Sequence, residues 1–265
     1  MMLSISICSN QGKSARSSLS AVDEVIAPSA PLNATADISL IPDAVCVSMF
    51  NPSLIRPGFS TSYTRFFNLP ALPYYTINAS YIMGNFGISM SHQFLDHPLY
   101  KEHKSAFAFS HSFNELSIGF AMRNIYSKAS EYHENNVLGV DVAATWDYPP
   151  LTTAFILKNA THTKFYEDPL PIVYIWEQSF RLSEKSSLAF AVEKEMYYDF
   201  SFKFASAHHF SEYFSLYAGY LHEPAQLSLG AQFSLNPYQI TYSFRTHQYL
   251  ELTHFITLAY VFAND

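Results

Sequence analysis

Positive charge, cysteine and long apolar runs are scarce in this sequence, and each shortage excludes a class of protein. The 265 residues contain 15 Lys and Arg against 22 Asp and Glu, so the chain lacks the basic surface that nucleic-acid binding requires. Two cysteines, Cys8 and Cys46, are too few for a disulfide framework or a thiolate metal site. No apolar run approaches the ~20 residues of a transmembrane helix. The sequence therefore indicates neither a nucleic-acid-binding protein nor a helical membrane protein.

Charged residues are also few, whereas aromatic residues are abundant. Charged residues make up 14% of the chain, against about 25% in ordinary soluble domains, and aromatic residues reach 17%, with 23 Phe and 19 Tyr. A soluble domain of this composition would have to cover its surface mostly with uncharged side chains. The 49% share of hydrophobic residues is too high for a disordered chain. The composition therefore predicts a folded protein with a large apolar surface.

The first part of the chain differs in composition from the rest. Up to about residue 57 it is rich in Ser, Ala, Asn and Pro and nearly free of aromatic residues. The apolar residues at the start are not preceded by a positive charge, so no export signal is recognisable in the sequence as written. We interpret residues 1–40 as a leader or disordered segment, residues 41–59 as a segment that leads into the next domain, and residues 60–265 as that domain.

From Ser60 onward, large apolar residues alternate with small or polar ones. This is the period of a β-strand with two unlike faces. In one segment, Leu227 and Leu229 alternate with Ser228 and Gly230. The same pattern recurs in residues 106–113, 116–123, 188–193 and 240–245. The alternation predicts a series of strands, each with one bulky and one small or polar face.

Turn-forming residues separate these segments at intervals of about 10–18 residues. The turn signals are Leu69-Pro70, Gly84-Asn85, Asp96-His97-Pro98, Asn114-Glu115, Asn135-Asn136, Pro149-Pro150, Asp168-Pro169, Ser183-Glu184, His222-Glu223-Pro224 and Asn236-Pro237. The runs between them number about 14 and are about 9–13 residues long. A tilted strand needs ~9–11 residues to cross a bilayer, whereas ~5–6 is typical of globular sheets. The lengths therefore favour strands that span a membrane.

The distribution of residues between the two faces indicates which face meets lipid. The outer face of a β-sandwich would carry charge, but here one face carries Phe, Leu, Ile and Tyr and the other is small or polar. A sheet in lipid must close, because an open edge leaves backbone groups unpaired in hydrocarbon. Tyr and Trp near the segment ends are typical of interfacial aromatic girdles. The sequence thus predicts an all-β fold, a transmembrane antiparallel β-barrel of about 14 strands with a short irregular N-terminal segment partly inside the lumen.

Two parts of the sequence resemble a known family. The first part consists of four segments in the last third of the chain: FSLYAGY at residues 214–220, LSLGAQF at 227–233, ITYSF at 240–244 and LELTHFITLAYVF at 250–262. In the second part, Pro42-Asp43-Ala44 precedes Asn51-Pro52-Ser53-Leu54. These segments resemble the PorV/PorQ and UPF0164 group of FadL-type outer-membrane β-barrels. In that group an Asp-Ala and an Asn-Pro-Ala-Gly-Leu motif lie on the N-terminal segment that leads into the barrel.

The resemblance implies a barrel in the bacterial outer membrane that serves either hydrophobic-solute uptake or secretion and cell-surface assembly. It also implies that Asp43, Asn51, Pro52 and Leu54 form the N-terminal motif at the start of the barrel. The Gly-rich run that usually precedes this motif is replaced by LNATAD at residues 32–37, so we expect a shortened N-terminal plug.

Strand parity assigns a set of charged residues to the lumen face, where both signs occur together. They are Arg123, Asp141, Glu177, Arg181, Glu193, Lys203, Arg245 and Glu251. Such residues either pair with one another and stiffen the barrel, or form a solute path in which an arginine meets a carboxylate head group. A register error of one residue would move any of them to the opposite face. Parity alone leaves both roles open.

Neither a metal site nor a catalytic site is recognisable. The 11 histidines include no pair at a spacing that would bring metal ligands together. No nucleophile elbow or oriented acid accompanies His111-Ser112 or His254. We therefore predict no catalytic residues, no metal and no cofactor.

Passive transport of a hydrophobic or amphipathic small molecule is the first function that the sequence predicts. The alternative is a non-transporting barrel that acts as a secretion-system or cell-envelope assembly partner through loops around Tyr126–Glu134, Lys164–Pro169 and Tyr197–Phe200. A third interpretation is a soluble lipid-binding barrel, but its apolar outer face would exceed the few hundred Å² that a soluble monomer exposes. The expected partners are membrane lipid, the barrel-assembly machinery, and a hydrophobic solute or secretion-system proteins, without nucleic acid.

Overall fold

The protein is a closed antiparallel β-barrel of 14 strands. The computed structural model describes residues 29–70, 72–130, 134–165, 168–196 and 198–262. Residues 1–28, which include most of the predicted leader, lie outside the described residues. The predicted fold class is confirmed, and the first barrel strand begins at Gly58, just before the predicted boundary.

Each barrel strand pairs with the next one along the chain, and β7 pairs with β10. The barrel strands are β1 Gly58–Arg65, β2 Pro73–Met83, β3 Phe86–His97, β4 Tyr100–Phe113, β5 Leu116–Ala129, β6 Asn135–Tyr148, β7 Leu151–Lys158, β10 Val173–Ser183, β11 Ser186–Glu195, β12 Phe200–His209, β13 Phe214–Leu221, β14 Gln226–Leu235, β15 Tyr238–Arg245 and β16 Thr253–Val261. Between β7 and β10, β8 Lys164–Phe165 and β9 Asp168–Pro169 form a separate small sheet. The barrel closes where β1 pairs with β16, from Gly58 opposite Val261 to Arg65 opposite His254.

Side chains alternate across the barrel wall as the sequence pattern predicts. On β4, Phe107 and Phe109 lie half exposed on the outer surface, whereas Ala108 between them is buried. The inner face is lined by small and polar side chains, and Ser60 and Asn78 are almost completely buried there. Apolar side chains therefore lie on the outer surface and polar groups face the lumen, which is the reverse of a globular protein.

The two ends of the barrel differ in the length of their connections. At one end, which we call the turn end, the connections are tight and comprise residues 84–85, 114–115, 149–150, 184–185, 210–213 and 236–237. Gly84 and Asn114 adopt φ values of 60° and 51°, as the tightest hairpin turns require. At the opposite end, which we call the loop end, the connections comprise residues 66–72, 98–99, 130–134, 159–172, 196–199, 222–225 and 246–252.

Residues 29–56 fold inside the barrel, and we call this segment the plug. It contains a short helix, α1 Ala30–Ala34, and a 3₁₀ helix, Val45–Met49, and only Asp43 and Arg56 within it are exposed. The main apolar cluster inside the barrel combines plug and wall residues, among them Leu32, Cys46, Val47, Phe50, Ala143, Ile156 and Ile175. None of the helices in the described ranges is long and apolar enough to cross a membrane. The lumen is therefore filled by the plug as well as by the side chains of the wall.

Candidate functional site

The inner wall carries a buried ion pair between neighbouring strands β5 and β6. Arg123 Nε lies 2.7 Å from Asp141 Oδ2, and Arg123 Nη2 donates a hydrogen bond of 2.8 Å to Asp141 Oδ1. Asp141 Oδ1 also accepts a hydrogen bond of 2.8 Å from the backbone N–H of Asn159. This bidentate geometry satisfies both charges within the wall. The pair stiffens the barrel, and its guanidinium already has a carboxylate partner.

Three other predicted lumen residues take part in two further ion pairs. Lys203 Nζ on β12 lies 2.7 Å from Glu193 Oε2 on β11. Arg245 on β15 reaches the plug, where its Nη2 lies 3.0 Å from Asp37 Oδ2. The first pair joins two strands of the wall, whereas the second pair holds the plug to the wall.

Glu177 is a fully buried carboxylate that binds the plug at Ser39. It accepts hydrogen bonds from the backbone N–H of Ser39 at 3.0 and 3.1 Å and from the Ser39 hydroxyl at 2.6 Å. These donors replace water around the carboxylate, which would otherwise be costly to bury. The contact joins residues 138 positions apart, so it exists only when the plug lies in the lumen.

The Asn-Pro motif forms the second polar attachment of the plug. Asn51 Nδ2 donates to Ser39 Oγ at 3.0 Å and to Thr145 Oγ1 of β6 at 3.2 Å. Asn51 Oδ1 accepts hydrogen bonds from the backbone N–H of Ser53 at 3.1 Å and from its hydroxyl at 2.6 Å. The backbone of Pro52 lies directly against Gly119 of β5, where a Cβ atom would come within 2.2 Å of the Pro52 carbonyl oxygen. The motif therefore fixes the plug against the wall on the side of β5 and β6.

The other two residues of the N-terminal motif lie at its edges. Leu54 is partly buried and packs against the main apolar cluster. Asp43 is exposed and forms an ion pair with Arg56, with 2.8 Å between Oδ1 and Nε. The four motif residues therefore differ in environment, and Asn51 and Pro52 make the contacts with the wall.

Lys158 also lies in the lumen, but it is not among the charged lumen residues that the sequence predicts. It is fully buried at the end of β7, and its Nζ lies 3.5 Å from the centroid of the Phe50 ring in the plug. Lys203 Nζ lies 5.8 Å from the same ring. Among the described residues, Lys158 Nζ has no hydrogen-bond partner, so the ring face is its closest compensating contact. The alternation of Thr152, Ala154, Ile156 and Lys158 on the inner face of β7 is the sequence signal for this position.

Two residues assigned to the lumen face lie elsewhere. Glu251 precedes β16 in the connection 246–252 at the loop end, is exposed, and accepts a hydrogen bond of 2.8 Å from Asn68. Arg181 follows the inward parity of β10, but it lies at the turn end beside a register shift and is exposed. Parity does not apply to Glu251, which lies outside a strand, and Arg181 is exposed although it keeps the inward parity, because it lies at the end of the barrel.

Apolar side chains cluster at two places in the lumen towards the loop end. Phe66 packs edge-on against Tyr74 and Phe255, with ring centroids 5.8 and 6.5 Å apart. A second cluster combines Ile125 and Val137 of the wall with Leu170, which belongs to the connection 159–172. Because Leu170 is buried against inward-facing residues, this connection folds over the lumen. The loop end of the lumen thus combines aromatic and aliphatic side chains with the buried Glu102–Lys104 ion pair of β4.

The histidines are distributed over the surface rather than gathered in one place. His92, His208 and His254 contact the hydroxyls of Ser105, Ser186 and Tyr242, respectively, each at 2.8 or 2.9 Å. In the part of the chain that the structure describes, no three His, Cys, Asp or Glu side chains are placed to hold a metal ion. Among the described residues, the polar chemistry of the lumen therefore consists of ion pairs, hydrogen bonds and the Lys158 ammonium, which has no hydrogen-bond partner.

Comparison with known proteins finds solved structures with a similar fold. No protein-family model matches the sequence, and no curated protein matches it either. The structure of the CymD monoaromatic hydrocarbon channel superposes with a TM-score of 0.67 at 9% identity, over 91% of this chain and 99% of that one. A FadL homologue from Pseudomonas aeruginosa superposes with a TM-score of 0.62 at 9% identity, over 89% of this chain and 98% of that one. At such low identity the likeness concerns the fold alone.

Proposed function

We propose that the protein is an outer-membrane barrel for passive transport of a hydrophobic or amphipathic small molecule, and that the plug closes it in the resting state. The observation that carries this proposal is that a segment outside the barrel strands fills the lumen. A barrel of 14 strands encloses a lumen wider than its own side chains would fill. The plug joins the wall covalently only through its connection to β1, so it can leave without breaking the barrel.

The plug is held by polar contacts at several places on the wall and by the main apolar cluster. The polar contacts include the Arg245–Asp37 ion pair, the bonds from Ser39 to Glu177, the bond from Asn51 to Thr145 and the bonds from Ala30 to Thr257 and from Asn33 to Ser243. Water can replace the polar contacts when the plug moves, because their partners on the wall are polar groups of the lumen face. The wall is therefore suited to both a plugged and a hydrated state.

The lining of the lumen matches an amphipathic solute. The apolar residues at the loop end suit the hydrocarbon part of such a molecule, and the buried Lys158 lies deeper in the lumen. Displacement of Phe50 would remove the ring from the Lys158 ammonium, which could then bind a carboxylate. CymD is a channel for monoaromatic hydrocarbons, and an apolar solute of that kind would use the apolar part of the path without Lys158.

Reconstitution into lipid vesicles tests the proposal. We expect Asp37→Ala combined with Ser39→Ala to raise the uptake of both oleate and toluene several-fold, because the double variant removes the ion pair of the plug with Arg245 and the hydroxyl bond of the plug to Glu177. Phe109→Leu on the outer surface is the matched control and should behave like the wild type. Equal and negligible flux in the wild type and in the double variant would refute transport, provided that both barrels are folded.

A second candidate function is a non-transporting assembly partner, as in the PorV/PorQ group. The lumen is obstructed twice, by the plug and by the inward-folded connection 159–172, and a sealed barrel needs no solute. The loops predicted to bind partners belong to the loop end, and they include residues outside the described ones. These loops are Tyr126–Glu134, Lys164–Pro169 and Tyr197–Phe200. A stable complex with secretion or envelope proteins, together with no flux, would favour this function.

A location in the bacterial outer membrane is part of both proposals. It is supported by the closed barrel with an apolar outer face and by the short connections at one end. The barrel-assembly machinery is accordingly the partner that we expect during insertion.

A further inference from the structure

The outer surface of the barrel has a concave apolar groove across strands β11 to β15. Its volume is about 590 Å³. The floor consists of small outward-facing residues, Ser206, Ala218 and Ala231, and large exposed residues such as Leu188 and Leu229 rise on either side. Much of the outer wall elsewhere carries large exposed apolar side chains, such as Phe107, Phe120 and Phe155.

The wall beneath the groove is supported from inside by the plug. A Cβ atom on Gly219 would come within 2.5 Å of the backbone nitrogen of Ala36, and one on Gly230 within 2.5 Å of Ala34 Cβ. The wall therefore cannot move inward to remove the depression while the plug is in place. The groove is a fixed feature that opens towards the membrane.

The groove runs obliquely through the thickness of the membrane. Strand pairing places Ser186, His208, Leu216, Ala231 and Tyr242 opposite one another in one continuous row. At β11 and β12 the row lies next to the turns of the turn end. At β15 it lies in the half of the strand that is nearer the loop end, because the strands of a barrel are tilted. Four spacings of about 4.8 Å give a length of about 19 Å. An acyl chain that begins at the interface and extends into the bilayer has this direction and a comparable length.

The end of the groove at the membrane interface is polar. His208 Nδ1 lies 2.9 Å from Ser186 Oγ, and the His208 ring is exposed. The neighbouring turns carry both signs of charge, with Glu184 and Lys185 in one turn and Glu212 in the next, all of them exposed. A head group with a phosphate and an ammonium would find partners for both charges here.

We propose that this groove binds a single diacyl phospholipid with a zwitterionic phosphate–ammonium head group. One acyl chain lies along the floor formed by Ser206, Ala218 and Ala231, and the head group contacts His208 and the charged turns at the turn end. Binding of this lipid does not depend on solute transport, because the groove lies on the outer wall and the solute path lies in the lumen. It requires only that the barrel spans a membrane.

Native mass spectrometry of the full chain, extracted with mild detergent from vesicles of phosphatidylethanolamine, tests the proposal. We expect one retained lipid per barrel in the wild type. Ala218→Phe fills the floor and should lower the bound fraction about tenfold, which corresponds to ~1.4 kcal/mol. Ala144→Phe is the matched control, because Ala144 is also a small outward-facing residue but lies on β6, away from the groove. Ala231→Phe provides a second variant if Ala218→Phe does not fold.

The possible results separate this site from nonspecific lipid and from other occupants. An unchanged lipid fraction in both groove variants, or an equal loss in Ala144→Phe, would overturn the proposal. Equal or stronger retention from vesicles of phosphatidylglycerol would overturn the zwitterionic head group. Particles of two chains that dissociate only in the groove variants would show that a second copy occupies the groove instead, and would overturn lipid binding.

Discussion

At Gly119 the backbone of β5 touches the backbone of the plug. A Cβ atom there would lie 2.2 Å from the Pro52 carbonyl oxygen and 2.5 Å from the Ser53 nitrogen, so a side chain cannot fit unless the plug shifts. The nearest comparable position is Gly139 on β6, where a Cβ atom would approach only Asn159 Oδ1, at 3.4 Å. The pair of glycines therefore separates the effect of plug displacement from the effect of a strand substitution.

We predict that Gly119→Ala displaces the plug and that Gly139→Ala does not. The measurement is the reaction of Cys46 with a maleimide in a Cys8→Ser background, which removes the other thiol of the chain. Burial raises the pKa of the Cys46 thiol to about 11, so the reactive thiolate is rare at neutral pH while the plug is seated. We expect labelling to be at least tenfold faster in Gly119→Ala. Identical rates in the two glycine variants would show that the plug accommodates the methyl group.

Lys158 shows how a buried charge can indicate function. A buried ammonium without a hydrogen-bond partner is costly, and replacement by an apolar residue of similar volume is often neutral or stabilising. We predict that Lys158→Met leaves resistance to urea equal or higher and slows oleate uptake several-fold, with toluene uptake unchanged. Lys128→Met, at an exposed lysine near the loop end, is the control. Equal slowing for both solutes would mean that Lys158 acts on the width of the path and not on the carboxylate.

The two faces of strand β4 have opposite environments. Phe107 lies near the middle of the strand on the outer surface, and Lys101 lies at the loop end on the same face. We predict that Phe107→Arg destabilises the barrel by about 2–4 kcal/mol, because an arginine at the bilayer midplane must be accommodated by lipid. Lys101→Arg should change stability little. Urea unfolding in lipid vesicles measures both, and an equally small effect at Phe107 would place this face outside the membrane.

At the scale of the whole molecule, closure of β1 onto β16 leaves the barrel without a free sheet edge. Such a barrel resists detergent until it is heated, since no strand can unpair without opening the ladder. We predict that the unboiled protein, extracted from outer membranes after expression with a functional export signal, migrates faster on a denaturing gel than the boiled protein. Identical migration, or a protein that stays soluble, would contradict the closed membrane barrel and favour a soluble β-protein.

The sequence by itself determined the strands, their number and the direction of most side chains. These properties depend on the two-residue period of a β-strand, which is a local property of the sequence. The period recurs in the barrel strands between Gly58 and Val261. For the same reason, parity placed Arg123, Asp141 and Glu177 on the buried inner face before any pairing was known. It failed for Glu251, which lies outside a strand, and for Arg181, which lies at a strand end.

Only the tertiary structure decided which groups meet inside the barrel and on its outer wall. Glu177 binds Ser39 from 138 positions away, and Lys158 faces the ring of Phe50, because the plug lies within the closed lumen. The lipid-facing groove likewise requires Ser206, Ala218 and Ala231 from three strands to become neighbours. Local alternation specifies a face for each residue but not its partner, which depends on strand register, barrel closure and the position of a segment that belongs to no strand.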